Sequence, residues 1–223
     1  MKVIATHKYV NNFVKFKSDT INMILGKCLD ETVTQMNYYN YRSEFKRNIS
    51  MNAMKGFAFM LNSELTKNSI VLNNNDKKNY YAMGWRFINA FKKSELYENS
   101  LLRDRTRLII INGEVGIYAQ PDFVDYIHEI MYEMKSFSLK PVPEYVRVQV
   151  KIFQLAYPDF ISKLIAFPRN EGYIKTQTVI VKKQAERTRK SLLKKLYKFT
   201  VENGMDMDYN DAVGNKKYIK YTI

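Results

Sequence analysis

Three charged residues stand out for where they sit. In VGIYAQPDFVDYIHEIMYEMKSF, residues 115–137, Asp122, Glu133 and Lys135 lie among β-branched and aromatic neighbours. A carboxylate in such a strand is costly unless a metal ion, an ion pair or solvent compensates its charge. Asp122 follows Pro121, ten residues separate it from Glu133, and Lys135 comes two positions later. Alternation puts Glu129, Met131, Glu133 and Lys135 on one face and His128, Ile130, Tyr132 and Met134 on the other. A hairpin turning at residues 126–129 sets Asp122 opposite Glu133, with Cβ atoms about 4.5–5.5 Å apart. That turn has no Gly, so the register is open to slippage. Two carboxylates so placed raise each other's pKa unless a cation lies between them. Lys135 supplies one positive charge. A divalent ion supplies more, and oxygen-only ligands select Mg²⁺ or Mn²⁺ over zinc.

Elements of both kinds must hold these residues. The first ~100 residues read as helical by periodicity. Ser18 is the expected N-cap of a helix with Ile21, Ile24, Leu25, Cys28, Leu29, Val33 and Met36 at helical spacing. Further helices are expected over 41–65 and 76–97, with LNNNDKKN between them as a loop. The pattern then changes to β-branched runs broken by Asn112-Gly113, the strongest short hairpin signal. A strand follows over 128–137, then a helix over about 144–157 stopped by Pro158. Strands at 160–167 and 173–183, a charged helix over 184–202 and a tail with a short edge strand complete the chain. The expected architecture is an α/β mixed sheet flanked by helices in one domain over 1–223. Within it, 1–100 form a helical layer, 101–203 the α/β core and 204–223 the tail.

On the helix PEYVRVQVKIFQLAYP, Tyr145, Val148, Ile152, Phe153, Leu155 and Ala156 make the apolar stripe, and Gln149 falls within it. A glutamine facing a core must find hydrogen-bond partners, so Gln149 is expected to be packed or site-directed. Gln154, off the centre of the stripe, is the weaker candidate.

Pro121-Asp122, ten residues, Glu133-Met134-Lys135 and then a helix carrying Gln149 resembles the PD-(D/E)XK nuclease superfamily. Within it the pattern looks like the RecB-type branch, where a Gln and an aromatic four residues later, here Phe153, follow the third strand. The segment ILGKCLDET is similar to that branch's N-terminal motif, except that Asp30, with Glu31 beside it, stands where the branch has His. Helical geometry favours Glu31, which flanks the stripe near Ile24 and Cys28. The resemblance spans about residues 26–153, and size and Lys-, Tyr- and Asn-rich texture are similar to archaeal virus nucleases of the superfamily. It implies a restriction-endonuclease-like fold and a metal-dependent deoxyribonuclease. Asp122, Glu133 and the Met134 carbonyl would bind Mg²⁺ or Mn²⁺, and Glu31 would complete the shell through a water. Lys135 would position the nucleophile or neutralise the scissile phosphate, and Gln149 would orient Lys135 or the water. A homodimer is compatible with the resemblance; no sequence feature encodes one.

Composition agrees with a polyanionic partner. Lys and Arg outnumber Asp and Glu by 36 to 22, a formal charge of +14. Such a field concentrates nucleic acid or anionic membrane. The segment 182–198 holds eight Lys or Arg and one acid, Glu186. Arg187, Lys190, Lys194 and Lys198 form a helical stripe opposite Leu192, Leu196 and Phe199, suited to tracking DNA phosphates. Cys28, the single cysteine, cannot build a disulfide, a zinc site or an iron–sulfur cluster. His7 and His128 lack ligand spacing, and the chain has no GxxxxGK[ST] phosphate loop. No signal pattern and no apolar run of ~18 residues appears, so an intracellular protein, in a host cytoplasm if viral, is expected and no membrane partner. The rival expectations are a DNA-binding protein of the same fold without activity, and a structural or adaptor protein.

Overall fold

The computed structural model describes residues 1–13, 20–40, 49–98, 105–135, 141–167 and 177–223. The chain is an α/β protein with two mixed sheets flanked by helices, where the sequence suggested one sheet. The first sheet orders its strands β8-β1-β3-β2-β9: Met205–Asp206, Lys2–Ala5, Val115–Ala119, Arg107–Ile111 and Lys217–Tyr221. The second orders them β4-β5-β6-β7: Phe123–Asp125, Ile130–Lys135, Ile161–Ala166 and Gln177–Val181.

The expected division into helical layer, core and tail does not hold for the first sheet. β1 runs parallel to β3, from Lys2 opposite Val115 to Ala5 opposite Tyr118, and β9 runs parallel to β2. A four-residue strand is too short for periodicity to separate it from the helical segments that follow. The β2–β3 hairpin is the one that Asn112-Gly113 announces, with both residues at positive φ (53° and 74°). Leu108 to Ile111 are all fully buried, because helical elements cover both faces of this sheet. That two-sided burial explains an unbroken apolar run where a half-exposed strand would alternate.

One helix joins the two sheets. α6, Glu144–Ala156, carries the chain from β5 to its parallel neighbour β6 and packs between the sheets. (α1 is Thr6–Val10, α2 Thr20–Asn40, α3 Ile49–Lys67, α4 Asn74–Lys92, α5 Glu95–Glu98, α7 Glu186–Asn203 and α8 Tyr209–Val213.) Tyr221 donates to Leu155 O at 2.8 Å and Arg107 Nη1 to Ala156 O at 2.9 Å, so the free carbonyls at the end of α6 are tied to the first sheet. Gln154 is more buried than the stripe suggested, and its amide bonds Ser162 Oγ, Val181 O and Lys182 O. Its role is to clamp α6 to the second sheet.

The far face of the second sheet is covered by α2, α3 and α4. Phe57, Phe87, Phe91 and Phe167 lie there beside Leu25, Leu29 and Val33. Burying each such side chain contributes ~1.5–3 kcal/mol. Gly84 lets α4 approach α3, since a Cβ there would lie 2.4 Å from the Phe57 ring. The expected Ser18 cap and residues 41–48 of the second helix lie outside the described residues. No helix among the described residues is long and apolar enough to cross a membrane.

Candidate functional site

Asp122 sits in the link between the sheets, immediately before β4. Phe123 pairs with Tyr132, Val124 with Met131 and Asp125 with Ile130, so one further step sets Asp122 against Glu133. Asp125 forms this hairpin without glycine. Its Oδ1 accepts from the amides of Ile127 at 2.9 Å and His128 at 3.0 Å, and its Oδ2 lies 2.7 Å from His128 Nδ1. Glu129 then absorbs the positive φ (53°) that closes the turn. An Asx-type turn thus replaces the glycine signal.

Pro121 has no amide to continue the ladder. The Met134 amide instead donates to Asp122 Oδ2 at 2.6 Å. The Lys135 carbonyl accepts from the amide of Phe167, just past the end of β6, so the alternate backbone groups, those of Met134, point away from β6. The Met134 carbonyl therefore shares the Asp122 side of the strand.

Glu133 is 3 % exposed. Its Oε1 accepts from Lys135 Nζ, while Oε2 is buried with no partner. Burial first, then the Asp122 charge, push the Glu133 carboxyl up to about 8, more than Lys135 pulls it down. For Lys135, burial alone would lower the pKa; the Glu133 and Asp122 carboxylates outweigh it and raise it. Lys135 therefore stays a cation. Its Nζ also donates to Gln149 Oε1 at 3.3 Å, a long bond that places the α6 glutamine at the site.

α2 presents its two acids to different neighbours, and here the sequence expectation is corrected. Glu31 is exposed, accepts from Gln35 at 3.3 Å, and lines a cleft against α3 with Lys27, Cys28, Phe59 and Glu64. Asp30, on the opposite flank, faces the strand ends. It reaches solvent at the rim, yet protein crowds its carboxyl, and burial and the Asp122 charge push it up to about 7 against Arg105 and Lys135. Helical geometry separated the two flanks correctly but not which flank meets the sheet. That depends on how α2 docks.

Two other residues stand at the site without having been expected there. Arg105 Nη1 donates to the Asp122 carbonyl, and the arginine's own carbonyl accepts from buried Tyr157 at 2.6 Å. Tyr145, one turn before Gln149 on α6, has its hydroxyl pKa raised by burial, with Lys135 lowering it and Glu133 raising it. The i, i+4 relation to Gln149 was the available signal for Tyr145. Arg105 had none, because no local pattern carries the link-to-link contact.

The basic stripe lies apart, on α7. Arg187, Lys190, Lys194 and Lys198 are exposed, and the helix buries Leu193, Leu196 and Thr200 against the core. Leu192 and Phe199, expected opposite the basic stripe, are half-buried. Arg187, Lys190, Ser191 and Lys194 border an open hollow of about 530 Å³, and Lys190 pairs with Glu186 at 2.9 Å.

Among the described residues, no group of three or more His, Cys, Asp or Glu is placed to hold a metal ion together. The donors at hand are two facing carboxylates, a backbone carbonyl and a third acid at the rim.

No family model matches the chain, and no curated protein does. Among solved structures, one described as a crystal structure of SSO0001 aligns over 88% of this chain and 83% of its own, with 14% identity and a TM-score of 0.38. At that level the likeness carries no argument.

Proposed function

We propose that the chain is a metal-dependent deoxyribonuclease on a restriction-endonuclease-like fold. The observation that carries this reading is Glu133, a buried carboxylate facing Asp122 with one oxygen left without a partner. A buried acid left so is costly, and such perturbed groups concentrate at functional sites.

The donor set fits Mg²⁺ or Mn²⁺. Mg²⁺ takes hard oxygen ligands, keeps several waters and is commonly held by one or two carboxylates plus substrate phosphate, so a two-acid site suffices. Asp122, Glu133 Oε2 and the Met134 carbonyl would hold it, and Asp30 rather than Glu31 is the rim acid whose charge bears on the site. When bound, the ion supplies Lewis-acid stabilisation of charge on the phosphate and lowers the pKa of water. The protein's own residues do the rest. Lys135, held between Glu133 and Gln149, places a fixed positive charge beside the attacked phosphate. Gln149 restrains the Lys135 amine. Asp30, Asp122 and Glu133 against Lys135 and Arg105 leave one net negative charge when all are ionised, which suits a divalent cation. The α7 stripe would follow the DNA backbone.

The second reading is a DNA-binding protein without cleavage, for which the exposed basic stripe on α7 would suffice. The deciding experiment is cleavage of labelled single-stranded, duplex and four-way-junction DNA with Mg²⁺, Mn²⁺ or EDTA, using wild type and Glu133→Ala. Metal-dependent cutting lost in the variant supports the nuclease and names its substrate. Binding without cutting supports the second reading. Neither binding nor cutting leaves a structural or adaptor protein.

A further inference from the structure

The nuclease reading counts Arg105 in the charge balance of the site but gives it no contact with substrate. Arg105 lies just before β2, outside the Asp122–Lys135 segment and its helix. Its guanidinium is pinned on the inter-sheet link: Nη1 donates to the Asp122 carbonyl. The Gln120 amide, oriented by its hydrogen bonds, offers its oxygen to Nε at 3.1 Å and Nη2 at 3.2 Å. The backbone beneath is fixed as well, since buried Tyr157 donates to the Arg105 carbonyl. A guanidinium has five N–H donors in a rigid plane. Three are used here, which leaves two with no acceptor among the described residues. Arg105 is half-buried, so its free donors are not sealed in the core.

We infer that Arg105 is a phosphate-contacting residue of the DNA site, gripping the strand beside the phosphate that Lys135 faces. This rests on the reading of DNA as substrate. The pinning gives the inference its force. A guanidinium already ordered by two acceptors loses little side-chain entropy when it binds a phosphate, unlike a lysine on a free stem. The Asp122 carbonyl bond also links the two jobs, since the atom that orders Arg105 belongs to the residue that faces Glu133. A purely structural arginine on this link would need only the Asp122 carbonyl and Gln120.

The test is DNA affinity in EDTA, so that cleavage plays no part, measured by anisotropy of a fluorescein-labelled duplex over a range of salt concentrations. Wild type, Arg105→Lys and Arg105→Gln are compared. Glutamine keeps an N–H for the Asp122 carbonyl while removing the charge, and circular dichroism melting checks that each variant is folded. A lost phosphate contact lowers the slope of log affinity against log salt by about 0.9 for duplex, or about 0.7 for a single strand. Arg105→Gln is expected to show that drop with several-fold weaker binding, and Arg105→Lys to keep the wild-type slope. An unchanged slope in folded Arg105→Gln overturns the inference and leaves the DNA reading standing. If wild type binds neither duplex nor single strand, the DNA reading itself fails, and the inference with it. Should Arg105→Gln not fold, Gln120→Ala decides the matter: it frees the guanidinium without removing charge, so weaker binding at unchanged slope supports the contact and unaltered affinity overturns it.

Discussion

The β4–β5 hairpin carries a buried acid at each end, and the two live under opposite rules. At the turn, Asp125 is 3 % exposed and satisfied: two amides and the His128 ring meet its oxygens. Burial alone would raise its pKa, but the His128 ring and the two amides outweigh burial and hold it below the ordinary range. At the open end Glu133 is as little exposed but more deeply enclosed, has one lysine, one facing acid and one oxygen with nothing to accept from, and burial first, then the Asp122 charge, push it up to about 8. Exposed surface is alike, but Glu133 lies deeper in the protein and has fewer donors, so depth and partners act in the same direction. A buried carboxylate with donors on every side belongs to the fold, while one left short of donors is held by the fold for something else to complete.

The largest effect should come from breaking the open end. Glu133→Ala or Asp122→Ala is expected to lower metal-dependent cleavage by ~10² or more, the scale of losing a preorganised electrostatic group. Salt-dependent DNA binding in EDTA should survive. Asp125→Ala, assayed below its melting temperature, should leave the cleavage rate within a few-fold. Equal losses at both ends would show that the hairpin does not divide as described. Next comes the rim: Asp30→Asn should cost cleavage ~10–10²-fold, as for groups that tune a metal site, and Glu31→Gln should cost nothing measurable. The reverse result would restore Glu31.

The facing of Asp122 and Glu133 was legible because it needs only strand alternation and a turn at residues 126–129. The turn chemistry was legible too, had Asp125 been read as an Asx cap. Gln149 announced itself as a polar residue in an apolar stripe, though Gln154 in the same helix is the more buried of the two. The sheet containing β1, β8 and β9 was not legible: those strands are two to five residues long and pair with partners up to ~200 residues away. Docking decided the rest. Whether Asp30 or Glu31 meets the strand ends, and whether Arg105 meets Asp122, depends on packing between elements that no local pattern specifies.

Stability should separate the two ends by both size and pH. Asp125→Ala strips acceptors from two turn amides and is expected to cost about 2–3 kcal/mol, roughly 5–10 °C in melting temperature for a chain of this size. For wild type the signs oppose. Folded Glu133 holds a proton that the unfolded chain releases from 4.5 upward, so its contribution to stability falls as pH rises from 4.5 to about 8. The slope is at most about 1.4 kcal/mol per pH unit for that group. Asp125 does the reverse: its contribution is complete above 3.8 and is lost as pH falls through its depressed folded value. Melting in EDTA across both windows should show two declining limbs. Mg²⁺, by favouring ionised Glu133, should flatten the alkaline limb and leave the acid limb unchanged. An alkaline limb indifferent to Mg²⁺ would mean that Glu133 does not meet the ion.

The smallest effect is the sharpest test of whether the ends are independent. The His128 ring is 63% exposed, and removing it leaves Asp125 its two amide donors. His128→Ala should therefore cost only about 0.5–1 kcal/mol, measured by urea unfolding. The backbone turn, and with it the pairing that sets Asp122 against Glu133, should persist. Cleavage by His128→Ala at low temperature is then expected to match wild type. If the rate instead fell severalfold with stability scarcely changed, the turn would be setting the distance between the acids as well as the register. The hairpin would then act as one lever, with a satisfied acid at one end holding the unsatisfied one in place.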